Sequence, residues 1–293
     1  MQNKSEWESI EFGLVCFAAN RRCLELARTA MDWLEENGHS YAMEKTAMEA
    51  AGFDVTALKM KDLTRQSRFL LVFGGDGSIL RAARDCARHH SILVGVHAGT
   101  VGFLTSLEKE SLIEGLKRLA TGHYQLKTRL MLQAQVLRDG ARVATFYGLN
   151  DAVLKVGSLS RIVNFEVEAS GRLVDTYPGD GVLVSTPTGS TGYSLSAGGP
   201  LVHPGFDVLL LSPICTHSLR VRPWVFAPNE ELKIRPVQHN DYVKTRVLLT
   251  LDGQVGFALR DGDEVLVKSA PNRIPMAEVF PHDYFELVRR KIR

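Results

Sequence analysis

The chain has 293 residues, of which 45% are hydrophobic and 23% are charged, ordinary values for a globular protein. Its 35 basic and 33 acidic residues give a formal net charge of +2. This balance offers no electrostatic argument for a nucleic acid or a membrane surface as a partner, so small molecules are expected. The length favours about two domains.

The four cysteines form no C-x-x-C pair and lack metal-ligand spacing: Cys16, Cys23, Cys86 and Cys215. We expect buried free thiols, which suit a reducing compartment. The histidines do not assemble into a metal motif either, so no protein metal site is predicted. No run approaches the about 18 apolar residues of a transmembrane helix, and the polar N-terminus is unlike a signal peptide. The expected location is the cytoplasm.

The first part of the chain predicts strands that alternate with helices. Continuous apolar runs predict buried strands at 10–17, 69–73 and 92–96. Helical spacing predicts helices over 21–37, from Ser78 onwards, and over about 109–120. Periodicity does not decide whether 41–51 is strand or helix. The alternation favours a doubly wound parallel sheet, in which ligands bind beyond the carboxyl ends of the strands.

From Gln125 the pattern changes to short alternating strands joined by turn dipeptides. Each dipeptide predicts a hairpin: Asp139-Gly140, Ser170-Gly171, Asp252-Gly253 and Asp261-Gly262. The predicted fold class is therefore α/β plus all-β. An N-terminal doubly wound parallel α/β domain (1–122) is followed by a mainly antiparallel β domain (123–274). The tail, 275–293, contains a short helix that we expect to complete the first domain.

Residues 180–200 are unusually rich in glycine and hydroxyl side chains. The apolar run 182–184 predicts a strand that stops at Thr186-Pro187, because proline has no N–H for a ladder. The loop that follows, 188–191, combines bare backbone with hydroxyls, which favours a site for phosphate, ribose or both. Ser190 or Thr191 is expected to cap a short helix through Ser196, whose N-terminus favours an anion. The alternative is a Ser/Gly-rich surface turn.

A second glycine turn, Gly74–Ser78, places Asp76 between a buried strand and a helix. Asp76 is either an N-cap or a functional carboxylate, and the bare backbone on both sides favours function. Such a carboxylate could accept a hydroxyl proton or help to hold magnesium. Arg81, one turn further, either faces a phosphate or is a solvated surface arginine.

Two further acidic positions have local explanations. Asn150-Asp151 precedes an apolar strand and by itself predicts a turn. Asp252 belongs to an Asp-Gly pair, for which a hairpin turn is the stronger interpretation. No Gly-x-Ser-x-Gly elbow is present, so Ser-His-Asp hydrolysis is unsupported.

Taken together, these segments resemble the NAD kinase family. The family's Gly-Gly-Asp-Gly motif matches Gly74–Gly77, its Gly-Phe-Leu-Thr segment matches Gly102–Thr105, and its Asn-Glu pair corresponds to Asn150-Asp151. The long signature from Asp180 to Pro200 matches without a break. Gly-Gly-Asp-Gly alone is unspecific, because diacylglycerol and sphingosine kinases and phosphofructokinases share it. The long signature is specific.

The resemblance implies ATP-dependent phosphorylation of the adenosine ribose 2′-hydroxyl of NAD, with Mg²⁺ or another divalent cation accompanying ATP. It implies that Asp76 is the general base, that Asn150 and Asp151 hold ribose and base, and that Asp180 holds a further polar group. It also implies an NAD site between the two domains and a homodimer or homotetramer. The other ligand-contacting positions that it implies are Gly77, Arg81, Phe103, Arg161, Thr191, Gly192, Tyr193, Ser194, Leu195, Ser196 and Gln254.

The chain departs from the family pattern at four positions: Asp151 for Glu, His97 for Asn, Gly192 for Ala and Pro178 for Arg. None of them affects Asp76. Two rival functions remain at this point. A lipid or sugar kinase would share Gly74–Gly77 but would not explain 180–200, and a catalytically idle dinucleotide sensor would not need Asp76.

Overall fold

The computed structural model describes residues 9–16, 20–99, 102–157, 162–216, 220–238, 246–281 and 283–292. It divides the chain into two compact units. Unit 1 comprises Met1–Thr128 together with Ile274–Arg293, and unit 2 comprises Arg129–Arg273.

The strands are β1 (Ile10–Cys16), β2 (Tyr41–Glu44), β3 (Ala57–Leu58), β4 (Ser67–Phe73), β5 (Ile92–Val96), β6 (Gln125–Arg129), β7 (Leu132–Arg138), β8 (Ala141–Gly148), β9 (Asp151–Val156), β10 (Val163–Ala169), β11 (Arg172–Gly179), β12 (Gly181–Ser185), β13 (Leu209–Ile214), β14 (Trp224–Phe226), β15 (Leu232–Val237), β16 (Val247–Leu251), β17 (Val255–Ala258), β18 (Glu264–Ser269) and β19 (Ile274–Glu278). The helices are α1 (Arg21–Glu36), α2 (Lys45–Ala51), α3 (Met60–Gln66), α4 (Asp76–Cys86), α5 (Leu112–Thr121), α6 (Tyr193–Ser196) and α7 (Tyr284–Lys291), with a 3₁₀ turn at Thr188–Thr191.

Unit 1 is built on a seven-stranded sheet in the order β3-β2-β1-β4-β5-β19-β6. Its core strands pair in parallel. Alternate residues of β4 face opposite sides: Phe69, Leu71 and Phe73 share a core with α1 and α5. On the other face, Leu70 and Leu63 of α3 both lie against Gly13. Helices therefore cover both faces, which confirms the predicted parallel α/β architecture.

The segment 41–51, which periodicity left undecided, contains both a strand and a helix. β2 ends at Glu44, whose carboxylate accepts a hydrogen bond from the Ala47 N–H at 3.0 Å and caps α2. The cap changes the chain from strand to helix within one residue. The hydrophobic pattern of 41–51 as a whole therefore shows neither the strand period nor the helix period clearly.

Unit 2 consists of two six-stranded antiparallel sheets. One has the order β11-β10-β15-β18-β7-β8 and the other β14-β13-β12-β9-β16-β17. Their inner faces contribute to one hydrophobic core, for example through Val136 of β7, Leu154 of β9 and Phe165 of β10. This confirms the predicted antiparallel β region. Pro178 lies on the edge strand β11, where a missing N–H is tolerated.

Three of the four predicted hairpins are confirmed, and one is wrong. The turns at Asp139-Gly140, Ser170-Gly171 and Asp252-Gly253 join paired strands. Asp261-Gly262 instead joins β17 to β18, which belong to different sheets. The turn therefore carries the chain from one sheet to the other. The Arg260 N–H and the Arg138 guanidinium, which come from before the turn and from β7, both donate to the Asp263 carboxylate.

The prediction of buried thiols holds for Cys16, Cys23 and Cys86 and is wrong for Cys215, which is exposed. Cys215 directly follows β13, where the chain leaves the sheet with a left-handed backbone (φ +46°). The helix expected in the tail is α7, which belongs to unit 1 and is capped by Asp283. Within the described ranges, no helix combines the length and apolar character needed to cross a membrane.

Two bidentate ion pairs of equal length allow a test of burial. Arg138 meets Asp263, whose side chain is 0% exposed, at 2.7 Å on both oxygens. Arg273 meets Asp207 with the same distances, but both side chains are about 40% exposed. We expect Asp263→Ala to lower the free energy of unfolding by about 3 kcal/mol. Asp207→Ala should lower it by less than about 1 kcal/mol. Urea denaturation measures both, and equal losses would contradict the importance of burial here.

Candidate functional site

In unit 1, the carboxylate of Asp76 is fixed by backbone amides of a distant loop. Asp76 is the first residue of α4, directly after the turn that follows β4. Its Oδ2 accepts a hydrogen bond from the Phe103 N–H at 2.8 Å, and its Oδ1 accepts one from the Leu104 N–H at 3.0 Å. Asp76 is half-buried. Both oxygens are thereby oriented, and each keeps lone-pair capacity for a further partner.

The sequence brings these two loops together because β4 and β5 are adjacent parallel strands. Their carboxyl ends lie side by side, and the Gly74 N–H donates to the Val96 carbonyl at 2.8 Å. Gly102 is required by the close approach: a Cβ on it would lie 1.8 Å from Asp76 Oδ1. A side chain at position 102 would therefore clash with the Asp76 carboxylate itself.

The other unit 1 candidates differ in their exposure and contacts. Gly77 and Arg81 are exposed on α4. Burial raises the pKa of Asp85, one turn beyond Arg81, and the charge of Arg81 offsets part of this rise. The Phe103 ring contacts the Tyr284 ring of α7, with centroids 6.5 Å apart. His97 is buried, and its Nδ1 accepts a hydrogen bond from the Gly99 N–H at 2.7 Å.

In unit 2, the register of three strands brings together three segments that are far apart in the sequence. β9 lies between β12 and β16, and it runs antiparallel to both. Asp151 at the start of β9 is therefore opposite Ser185 at the end of β12. Ala152 is opposite Leu251 at the end of β16. The turn Leu149–Asp151 is thus flanked by the glycine-rich segment on one side and by Asp252-Gly253 on the other.

Asp252 is a site residue that sequence reasoning missed. It occupies the hairpin turn as predicted, with φ +51°, but it is only 8% exposed. Its carboxylate accepts hydrogen bonds from the N–H groups of Leu149, Asn150 and Asp151 at 3.1, 2.8 and 3.1 Å. An Asp-Gly pair predicts a turn without any long-range contact, and about a hundred residues separate the partners. The contact between Asp252 and residues 149–151 follows only from the order of the strands.

A cavity of about 390 Å³ in unit 2 is lined by Asn150, Asp151, Tyr193 and Asp252 among others. Asn150 Oδ1 is buried and has no hydrogen-bond partner in the part of the chain that the structure describes. A buried acceptor left without a donor is costly, so a ligand that donates to it would be favoured. Tyr193 packs on the outer face of the sheet against Val153 and contributes an aromatic wall.

The glycine-rich segment is placed beside this turn, but its predicted cap is wrong. Ser190 Oγ donates to the Pro187 carbonyl at 2.7 Å, and Thr191 Oγ1 donates to the Thr188 carbonyl at 3.3 Å. Neither hydroxyl caps α6, whose N-cap is Gly192 and which has only four residues. Ser190 Oγ also accepts a hydrogen bond from the Val202 N–H at 3.1 Å, so both hydroxyls are used within or beside the 3₁₀ turn. The anion site expected at this helix end stays a prediction.

The remaining candidates of unit 2 differ in burial and in their distance from the Asn150 turn. Gly192 lies beside Asn150, since a Cβ on it would be 3.5 Å from Nδ2, and Ser194 Oγ lies 3.3 Å from Ser212 Oγ. Leu195 is half-buried, whereas Ser196 and Gln254 are exposed. Asp180 precedes β12, whose other end carries Ser185, so it lies roughly 16 Å along the strand from the Asn150 turn. Arg161 lies outside the described residues.

The described residues contain no group of three His, Cys, Asp or Glu side chains that could hold a metal ion. What the two units offer is an oriented carboxylate in one and a polar, partly aromatic cavity in the other. The carboxylate is suited to accept a proton, and the cavity is suited to hold a polar aromatic ligand.

Asp151 provides a pH-dependent test of the cavity. Burial, and then the charge of Asp252, raise its pKa to about 7, whereas an aspartate in an unfolded chain has a pKa of about 4. Between these values the folded protein binds a proton that the unfolded chain has released. The contribution of Asp151 to stability is therefore fully present below about pH 4 and is lost as the pH rises to about 7.

Asp151→Asn is neutral at every pH and should remove this dependence. We expect the unfolding free energy of the wild type, relative to that of Asp151→Asn, to fall by at least about 1 kcal/mol between pH 5 and pH 8. Urea denaturation at the two pH values measures the difference, in which other titrating groups cancel. A difference that does not change with pH would show that Asp151 is not buried beside a second charge.

Two family models together match most of the chain. The model of the ATP-NAD kinase N-terminal domain matches residues 12–124, and that of the ATP-NAD kinase C-terminal domain matches 149–279. NAD kinase of Geotalea daltonii is 37% identical over 272 residues, 93% of this chain and 94% of the relative. NAD kinase of Natranaerobius thermophilus is 39% identical over 77% of this chain and 78% of the relative.

Two solved structures share the fold. Yeast NADH kinase complexed with NADH aligns with a TM-score of 0.88 at 22% identity, covering 99% of this chain and 88% of that one. An NAD kinase from Archaeoglobus fulgidus in complex with ATP aligns with a TM-score of 0.73 at 20% identity, covering 97% and 99%. Because both family models match in order and curated relatives align over nearly the whole chain, this protein belongs to the NAD kinase family.

Proposed function

We propose that this chain transfers the γ-phosphate of ATP to the 2′-hydroxyl of the adenosine ribose of NAD, with Asp76 as the base and the unit 2 cavity as part of the NAD site. The activity follows from family membership, since the curated relatives that cover nearly the whole chain are NAD kinases. The roles of individual residues rest on their geometry. The observation that carries them is the orientation of the Asp76 carboxylate by two backbone amides.

Asp76 is suited to accept the proton of the attacking hydroxyl. Phosphoryl transfer demands little covalent chemistry from the protein, so catalysis depends on alignment of the nucleophile and on removal of its proton. A carboxylate that is fixed before substrate arrives loses no side-chain entropy at that step. The second lone pair on each oxygen is directed away from the amides and is available to the hydroxyl.

The unit 2 cavity is suited to the polar and aromatic parts of NAD. The buried Oδ1 of Asn150 can accept a hydrogen bond from a ribose hydroxyl or an exocyclic amine. Asp151 can also donate when protonated, because its pKa of about 7 keeps part of it neutral near physiological pH. Tyr193 can stack on a base. The support for this assignment is the unsatisfied acceptor together with the known ligand of the yeast relative, which was crystallised with NADH.

Magnesium, or another divalent cation, is proposed to enter as part of the ATP substrate. Magnesium is commonly held by substrate phosphates and water with one or two carboxylates, which needs no cage of protein side chains. A homodimer or homotetramer and a cytoplasmic location stay predictions from the sequence.

Formation of NADP from ATP and NAD, followed with a dehydrogenase that accepts only NADP, tests the function. The chain should phosphorylate NAD and leave diacylglycerol, sphingosine and sugar phosphates unmodified. Phosphorylation of one of those acceptors, without NADP, would overturn the proposal.

Two glycine variants test the position of Asp76 in the same assay. Gly102→Ala should lower kcat by about 100-fold, because its Cβ forces the Asp76 carboxylate out of place. Gly99→Ala is the matched control, since no atom of the residues that the structure describes lies within 4 Å of its Cβ, and it should stay within about twofold of wild type. Equal activities of the two variants would contradict the placement of Asp76. Circular dichroism checks that both variants fold.

A further inference from the structure

The turn Leu149–Asp151 has its backbone held almost entirely by two residues from other parts of unit 2. Its three N–H groups all donate to the Asp252 carboxylate, at 2.8 to 3.1 Å. The Asp252 N–H in turn donates to the Asp151 carbonyl at 3.0 Å. A single aspartate therefore binds four of the six backbone polar groups of the turn.

Thr186 binds the other two groups. Its hydroxyl donates to the Leu149 carbonyl at 2.5 Å, and its N–H donates to the Asn150 carbonyl at 2.9 Å. Thr186 is 0% exposed. Its hydroxyl also accepts a hydrogen bond from the Gly189 N–H at 3.2 Å, which ties the glycine-rich segment to the same turn.

The segments are packed too closely to allow much displacement. A Cβ on Gly189 would lie 2.2 Å from the Asn150 carbonyl oxygen, so the glycine-rich segment touches the turn backbone directly. The turn is therefore held on one side by Asp252 and on the other by Thr186. With the backbone of the turn satisfied, the side-chain Oδ1 of Asn150 is a buried acceptor that has no partner among the described residues.

We propose that Asp252 and Thr186 are positioning residues that hold the Asn150 side chain ready to accept a hydrogen bond from NAD. The inference rests on the proposed function, because it takes NAD as the ligand of the cavity. Asp252 and Thr186 themselves need not touch the substrate: they act through the turn Leu149–Asp151. Loss of the hydrogen bonds from Asp252 or Thr186 frees backbone groups of the turn, so that Asn150 is no longer held in one orientation. We expect this to weaken NAD binding more than it slows phosphoryl transfer.

The chain contains a natural comparison for Asp252. Asp139-Gly140 forms a hairpin turn with nearly the same backbone, φ +51° and +75°, against +51° and +65° for Asp252-Gly253. Asp139 is exposed, whereas Asp252 is buried against the turn of β9. Asp139→Asn thus changes the same residue in the same turn geometry without changing the cavity.

The test measures NAD affinity by calorimetry, together with KM and kcat, for four variants. Asp252→Asn replaces an acceptor with an amide that cannot bind all three N–H groups, and Thr186→Val removes the hydroxyl at nearly constant shape. Both should weaken NAD binding by about tenfold or more, with KM for ATP unchanged and kcat reduced much less. Thr186→Ser keeps the hydroxyl and should recover the affinity that Thr186→Val loses. Asp139→Asn should bind NAD as the wild type does.

A merely structural role predicts a different pattern. If Asp252→Asn and Thr186→Val lower only the melting temperature, or reduce kcat while NAD affinity stays normal, the proposal is overturned. If Asp252→Asn does not fold, the comparison of Thr186→Val with Thr186→Ser decides. Wild-type protein that binds NAD but forms no NADP would contradict the proposed function, and the calorimetric comparison would still decide the role of the two positioning residues.

Discussion

The site depends on one kind of interaction: a carboxylate that accepts hydrogen bonds from backbone N–H groups distant in the sequence. Unit 1 uses it at Asp76, which binds the amides of Phe103 and Leu104, and unit 2 uses it at Asp252, which binds those of residues 149–151. Hydrogen bonds to a charged acceptor are roughly twice as strong as neutral ones. Each carboxylate therefore fixes a loop that the strands alone would leave free to vary.

The two carboxylates have different consequences because their surroundings differ. Asp76 is half-buried, and its loop partners are amides only, so it remains available to a substrate hydroxyl. Asp252 is nearly enclosed, and its carboxylate accepts three hydrogen bonds from the turn it binds. Asp76 is suited to accept a proton, whereas Asp252 is suited to hold a backbone segment in place. The close approach of Gly102 to Asp76 and of Gly189 to the Asn150 backbone shows that bare backbone is needed at both places.

Much of the fold could be predicted from local patterns. Continuous apolar runs predicted β4 and β5, since strands buried on both faces need no alternation, and turn dipeptides predicted three hairpins correctly. Asp261-Gly262 was misassigned because a turn between sheets has the same local chemistry as a hairpin. The caps at Ser190 and Thr191 failed because hydroxyls can bond to nearby carbonyls as readily as to helix N–H groups.

The residues of the candidate site could be predicted only in part from the sequence, for a related reason. Asp76 stood out because its neighbours are glycines, and Asn150-Asp151 was recognised through the family pattern. Asp252 was not recognised, because its role comes from the order β12-β9-β16, which no local window contains. Long-range register, not residue type, decides which of several Asp-Gly pairs forms only a turn and which also binds the backbone of a distant segment.

Asp76→Asn tests most directly whether Asp76 removes the proton from the NAD hydroxyl. The variant keeps the size of the side chain and one acceptor oxygen but loses the basic carboxylate. NADP formation should fall by at least about 100-fold, while calorimetric NAD affinity stays within a few-fold of wild type. Turnover comparable to that of the wild type would remove Asp76 from the mechanism.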